Sequence, residues 1–332
     1  MVIRIKLLSS LGIIMIIGLL MIVAYQNPFY ANFIASMLFM AGLAEAYNII
    51  GGFAGQLSLG HSAFFGVGAY VSVIMFVRLG ILPAIGCIAG MFAASLLGAG
   101  IGYVTLRLKG PFFSLATIAF AEVLRILAIN LRSVTGGSVG IMIPLKTGFV
   151  NLMFKERISY ALVAGGYALL VLFISYILRS SRMGYYLLAI REDQDAAESV
   201  GINSPAWKVL AAIISAALTG LGGVLYAYWI LFIEPYSEFS FEVSVNMALI
   251  TMIGGMGTVY GPFFGALMLV PLQEILRGLL GKYTPGLHML VYAVLLIMVV
   301  SFLPDGIAGL ARRKLMFGKF REILENVNTK RE

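Results

Sequence analysis

Long blocks without a single acidic or basic side chain constrain this chain more than any other feature. Residues 7–24, 81–106 and 288–303 contain no Asp, Glu, Lys or Arg. A helix of about 20 apolar residues crosses the roughly 30 Å hydrocarbon core of a bilayer. No soluble domain of this size has an interior that could bury so many such runs. Composition agrees, with 11% charged residues against about 25% in soluble globular proteins. The chain reads as an all-α integral membrane protein.

Splitting the sequence at charges, prolines and glycines gives about ten candidate spans, at 7–25, 31–50, 62–78, 83–106, 111–130, 158–178, 207–231, 243–260, 262–281 and 287–303. The first, behind Arg4 and Lys6, imitates a secretory signal peptide. Only Tyr25-Gln26-Asn27-Pro28 follows it, without a small-x-small cleavage site, so it reads as a retained signal anchor.

The net charge is +8. In a soluble chain that points to nucleic acid; here the cations crowd between apolar runs, where they set orientation and imply no nucleic-acid partner. Arg4 and Lys6 place the N-terminus inside. Alternation then puts Arg107, Lys109, Arg179, Arg182 and Arg191 inside, Glu234, Glu238 and Glu242 outside, and both termini in the cytoplasm. The loop 131–157, with Arg132, Lys146, Lys155 and Arg157, falls outside against the rule; its Gly-rich start has room for a short external helix. Residues 1–310 form a single transmembrane domain and 311–332 a basic cytoplasmic tail. In that tail Met316, Phe320, Ile323 and Val327 recur at helical spacing beside Arg312, Arg313 and Lys314. It is either an amphipathic helix on anionic membrane lipid or a plain solvated tail.

A lone cysteine, Cys87, and two distant histidines, His61 and His288, offer neither a disulfide framework nor a metal site. No phosphate-binding G-x-x-x-x-G-K-[ST], nucleophile elbow or H-E-x-x-H is present, so no catalytic residue and no bound cofactor is expected. If ATP drives the protein, another polypeptide hydrolyses it.

Four features carry a mechanism. Gly51 to His61 is too rich in glycine and, through Gln56, Ser58 and His61, too polar for a plain span. It is either a broken helix lining a pathway or a short cytoplasmic turn. Gly254-Gly255-Met256-Gly257-Thr258 has the same character, and Phe64-Phe65-Gly66 and Phe263-Phe264-Gly265 follow the two clusters like relics of an internal repeat. Charges inside spans are costly: Glu122 with Arg125, and Glu274 with Arg277, are spaced to neutralise each other on one helix face. Glu45 has no local partner and either faces a polar cavity or pairs with a cation from another helix. Finally, the hydrophilic loop of about 182–206 carries an apolar stripe of Leu187, Ile190, Ala197 and Val200 among acidic residues, with Gly201 as a stop and Asn203-Ser204-Pro205 starting the next span. It reads as a short amphipathic helix across the cytoplasmic face that docks in a partner's groove, or as a loop without a partner. Small residues spaced by four, Gly86/Gly90 and Gly98/Gly102, suit close helix packing.

Several blocks together resemble one family. Gly55-Gln56-Leu57-Ser58-Leu59-Gly60-His61-Ser62-Ala63-Phe64-Phe65-Gly66-Val67-Gly68-Ala69-Tyr70 is similar to the signature of the branched-chain amino-acid ABC transporter permeases. Arg107 to Phe113, Ala116 to Phe120, and Thr135-Gly136-Gly137-Ser138-Val139-Gly140 look like its LivM-type branch. Gly254 to Thr258, Gly261-Pro262 and Pro304-Asp305-Gly306 also fit, and Asp195-Ala196-Ala197 with Gly201 resembles the E-A-A-x-x-x-G loop that grips an ATPase, with Asp195 standing where Glu is usual.

The resemblance implies an inner-membrane importer permease fold and import of branched-chain or other hydrophobic amino acids. It also implies partners: a second homologous permease, two ATP-binding cassette ATPases, and a periplasmic or lipid-anchored substrate-binding protein. Asp195, Ala196, Ala197 and Gly201, with neighbouring Arg191 and Glu192, become candidates for ATPase coupling. Gln56, Ser58, His61, Glu45, Gly254 and Gly255 are the candidates for the pathway and its broken helices. Urea or short-chain amide uptake is the alternative cargo, and an ion-coupled secondary transporter using Glu45 or Glu122 the alternative class.

Overall fold

The computed structural model describes residues 2–105, 110–280, 286–302 and 306–309. The basic tail 311–332, Arg107, Lys109 and Pro304-Asp305 lie outside the described residues. The chain begins with α1 (Val2–Gln26), α2 (Pro28–Asn48), α3 (His61–Leu79), α4 (Pro83–Thr105) and α5 (Pro111–Asn130), then the short α6 (Arg132–Thr135). A second group comprises α7 (Arg157–Ser180), α8 (Arg182–Glu192), α9 (Gln194–Ser199) and α10 (Ser204–Ile230). The last is α11 (Pro235–Glu238), α12 (Phe241–Gly255), α13 (Gly261–Leu280) and α14 (Leu287–Phe302). Helices occupy all ten apolar segments. Among the described residues, seven are long and apolar enough to cross a membrane: α2 with the turn that follows it, α3, α4, α5, α7, α10 and α13.

Local chemistry sets the helix starts. Asn27 sits in extended conformation and its side chain accepts the Phe29 N–H at 2.9 Å, with Pro28 opening α2. Asn203 caps α10 in the same way through the Ala206 N–H at 3.2 Å. At the other end of α3, Gly80 takes φ +66 and its N–H closes on the Met75 carbonyl.

Close packing of small residues holds α3, α4 and α10 together. A Cβ at Gly98 would lie 2.6 Å from the Ala216 Cβ, and one at Gly220 2.5 Å from the Ala94 Cβ. Lipid offers no hydrophobic reward for helix association, so such contact is what joins helices there. The central member is α2: 83% of its apolar window is buried inside the protein, against 22% for α5. The outward row of α4, Ile88, Phe92 and Leu96, stays exposed.

Segments that the charge rule assigned to one side share one end of the bundle. Arg191 donates to the carbonyls of Gly52 and Met256, and the Ser114 hydroxyl to the Leu57 carbonyl at 2.6 Å. At the other end β1 (Ile141–Met142) pairs antiparallel with β2 (Phe232–Ile233), Arg78 reaches the Ser133 carbonyl, and Arg157 the Asn32 side chain at 3.4 Å. The short external helix allowed for in 131–157 is α6 and a single 3₁₀ turn (Gly137–Val139).

The acidic stretch 234–242, which the charge rule put outside, folds back onto the bundle: Phe239 packs against Gly66 and stacks on Tyr70 at 5.8 Å between ring centres. Glu238 is 1% exposed, and its Oε2 has no hydrogen-bond partner among the described residues. The aromatic side chain beside it drags the carboxylate inward. Burial, with Glu234 nearby, pushes the Glu238 carboxyl up from 4.5 to about 8. A carboxyl with a raised folded pKa binds its proton more tightly folded than unfolded. Its effect on stability is therefore nil below about pH 4.5 and becomes a loss as pH climbs to about 8. We expect the detergent-solubilised protein to melt progressively lower across that window, by up to roughly 4–5 kcal/mol of stability. Glu238→Gln should abolish this loss and melt higher than the parent at pH 8; an equal pH dependence in both proteins would contradict the assignment.

Candidate coupling site

The last turn of α2 does not stay α-helical. Residues Ile49–Phe53 widen into a π-turn and the chain then runs irregularly to His61. Wide turns of this kind tend to mark functional positions. Gly55 has φ +66, in the left-handed region that favours glycine, and a Cβ there would stand 2.8 Å from the Arg191 Cγ. Gly257 has φ +78, and a Cβ on it would collide with the Arg191 Nη1. The two glycine clusters thus form one cradle around the guanidinium of Arg191, whose Nη1 donates to the Gly52 carbonyl at 2.8 Å and the Met256 carbonyl at 3.3 Å.

A second tie lies just beneath. The Asn48 Nδ2 donates to the Thr258 carbonyl at 2.8 Å, and its Oδ1 accepts the Gly257 N–H at 2.9 Å. This fully buried amide matches one backbone donor and one backbone acceptor, so it clamps the second glycine cluster to the end of α2. Asn48 escaped the sequence reading because a single Asn at a helix end carries no pattern. The repeat-like placing of the glycine clusters was the only available signal.

His61 is a buried peg. The Ser215 hydroxyl donates to the Ala46 carbonyl at 2.7 Å, so it accepts from His61 Nε2 at 2.9 Å. That leaves Nδ1 as acceptor for the Ser58 hydroxyl at 2.9 Å. The network therefore assigns the Nε2–H tautomer, and a neutral imidazole joins α2, α3 and α10. Gln56 is half-buried; its backbone N–H donates to the Ile50 carbonyl at 3.1 Å and its side chain to the Ala54 carbonyl at 3.4 Å. Gly254 and Gly255 are both crowded: a Cβ on Gly254 would strike the Gly261 carbonyl, and one on Gly255 would lie 2.7 Å from the Ala308 Cβ.

Glu45 meets neither expectation. It is 1% exposed; Oε1 accepts from Asn48 Nδ2 at 3.4 Å, and Oε2 has no hydrogen-bond partner among the described residues. It forms no ion pair with any described cation. The two spaced charge pairs also separate: Glu122 and Arg125 form a bidentate ion pair, with Arg125 over the Tyr236 ring at 5.4 Å. Glu274 and Arg277, by contrast, make no hydrogen bond or ion pair with any described residue.

The hydrophilic loop is two short helices. Asp193 interrupts it and caps α9 by accepting the Ala196 N–H at 3.0 Å. The expected apolar stripe does not face outward as a unit. Leu187, Ile190 and Ala197 are buried against this chain, and of the stripe only Val200 stands out, 76% exposed. Asp195, Ala196, Glu192 and Gly201 line the exposed face; Gly201 has φ +90. Buried Lys208 on α10 anchors α9 by donating to Gln194 at 2.7 Å.

A bundle of apolar spans, interrupted by two glycine clusters and linked by one arginine to an exposed helical loop, is the architecture of a multi-pass membrane protein. The chain belongs to the family described as branched-chain amino acid transport system / permease component, whose pattern matches residues 29–300. It is 31% identical to the high-affinity branched-chain amino acid transport system permease protein LivM of Escherichia coli (strain K12), over 82% of this chain and 68% of that protein. It is 30% identical to the LivM of Salmonella typhimurium, with the same coverage. The LivH permease protein of the Escherichia coli (strain K12) system is 27% identical over 80% of this chain and 90% of its own length. No solved structure matches.

Proposed function

We propose that this chain is one of two membrane subunits of an ATP-driven importer for branched-chain or other hydrophobic amino acids, embedded in the cytoplasmic membrane by ten spans with both termini inside. A second permease of the same family completes the pathway, as the separate LivM and LivH proteins of one kind of system suggest. Two ATPases complete the assembly, one of them docking on this chain at the exposed face of α9 and the turn after it, around Asp195, Ala196 and Gly201, and an external binding protein delivers the amino acid.

The observation that carries this reading is the Arg191 strut. It is rooted at the end of α8, immediately before the proposed ATPase contact, and its head is held by both broken segments. A shift of α9 by a partner is thereby transmitted to the backbone where α2 and α12 end. Allosteric coupling needs such a physically continuous element. The test is co-reconstitution of the chain with a second permease, ATPases and binding protein in liposomes. ATP-dependent leucine accumulation is expected, with none when the ATPases are omitted.

Buried Glu45, with its unpartnered Oε2, is the one observation that favours ion coupling instead. Uptake by the chain alone, driven by a cation gradient and abolished by Glu45→Gln, would replace the importer reading.

A further inference from the structure

At the end of the bundle opposite Arg191, a cavity of about 630 Å³ opens between α2, α10, α12 and α13. Phe33, Tyr226 and Trp229 form its aromatic wall; Asn246, Glu274 and Arg277 stand on the other side. Glu274 and Arg277 lie inside the apolar span Gly261–Leu280, are exposed, and make no hydrogen bond or ion pair with any described residue. Uncompensated charges in a span do not face hydrocarbon; they face water, a partner or a polar ligand. Their spacing of three residues puts both on one helix face. Arg157 also lines the cavity and donates to the Asn32 side chain at 3.4 Å, whereas Arg277, one helical turn from Glu274, has no such tie among the described residues.

We propose that this cavity is a transit site for a free zwitterionic amino acid with an apolar side chain. Glu274 receives the ammonium, Arg277 the carboxylate, and Phe33, Tyr226 and Trp229 the side chain. Its size falls within the usual range for small-molecule sites, roughly 300–1,000 Å³, and its mix of aromatic wall and few polar groups is the usual composition. Opposite charges one turn apart that leave each other unpaired form a dipole antiparallel to that of a zwitterion. An uncharged amide or a polyol can hydrogen-bond to these two groups but offers neither of them an opposite charge. The proposal rests on the amino-acid importer reading and adds to it a site within the permease itself.

The test uses the assembled transporter in lipid nanodiscs without its external binding protein, with radiolabelled leucine as probe. Leucinamide, which lacks the carboxylate, and 4-methylpentanoate, which lacks the amine, serve as competitors. Saturable leucine binding is expected, with both competitors at least about tenfold weaker than leucine, since a charged hydrogen bond is worth that much. Glu274→Gln should weaken leucine at least about tenfold and erase the preference over 4-methylpentanoate alone. Arg277→Gln should erase the preference over leucinamide alone.

Both variants should still run with the second permease as one assembly on a sizing column. The site is overturned if an assembly that imports leucine shows no saturable binding, or if both variants bind as the parent does. It is also overturned if either variant splits the two permeases on a sizing column, which would make this face a subunit contact. Failure of ATP-dependent leucine import by the parent would strike the importer reading instead.

Discussion

Arg191→Met will leave the protein inserted and folded, and will cut ATP-driven uptake by at least about tenfold while ATP hydrolysis continues. Methionine keeps most of the aliphatic stem against Gly55 but removes the head that bonds the Gly52 and Met256 carbonyls. A hydrogen bond from a charged donor is worth about 1.5–3 kcal/mol, and here two such bonds hold the only arginine that reaches both glycine clusters among the described residues. Without them, motion of α8 and α9 no longer reaches the ends of α2 and α12. Lysine is a weak substitute, since one ammonium on a flexible stem lacks the planar fork of a guanidinium; Arg191→Lys should recover only part of the loss. The measurement is the ratio of leucine imported to ATP hydrolysed in liposomes. A parental ratio in Arg191→Met would refute the strut.

The largest loss of stability from a single substitution is expected at Gly68. A Cβ there would overlap the backbone of α10, coming within 2.6 Å of the Gly220 Cα and closer still to its carbonyl. The Gly68 carbonyl is itself only 2.8 Å from where a Cβ at Gly90 on α4 would stand. Three helices meet at this point, so none can retreat without opening the others. Overpacking a tight core costs about 1–3 kcal/mol and sometimes more, and a backbone obstacle puts Gly68→Val at the upper end. Loss of the folded fraction by fluorescence-detected sizing in detergent is the expected result. Gly100→Ala is the control: Gly100 is exposed with nothing within 4 Å of a Cβ. It should be neutral or slightly stabilising through helix propensity. Equal behaviour of the two variants would remove the packing argument.

The membrane made much of this fold legible. With no water to satisfy backbone groups in hydrocarbon, apolar runs must be helices, so every one of the ten segments carries one. Asn203-Ser204-Pro205 marked a helix start because capping is local chemistry. The folding back of 234–240 was not legible, since acidic residues in a loop give no sign that Phe239 will insert beside Gly66. The glycine clusters were visible as composition, but their function was not. Their guest, Arg191, is 139 positions from Gly52 in sequence, and no local pattern spans that distance. The stripe of Leu187, Ile190 and Ala197 was visible as amphipathicity, which says that a face is covered without saying by what. Here the chain's own core covers it.

The cradle also binds the fate of distant parts of the gene. Gly52, Gly55 and Gly257 all border the Arg191 side chain, Gly55 at its aliphatic stem and the other two at its head, so a side chain gained at any of them and the loss of Arg191 injure the same function. Selection therefore sees the codons at these four positions as a single heritable unit. A lineage that exchanges the arginine removes its contacts at Gly55 and Gly257, while their positive φ and Asn48 beside Gly52 still favour glycine. One that keeps it holds them fixed, however freely the lipid-facing residues between them drift.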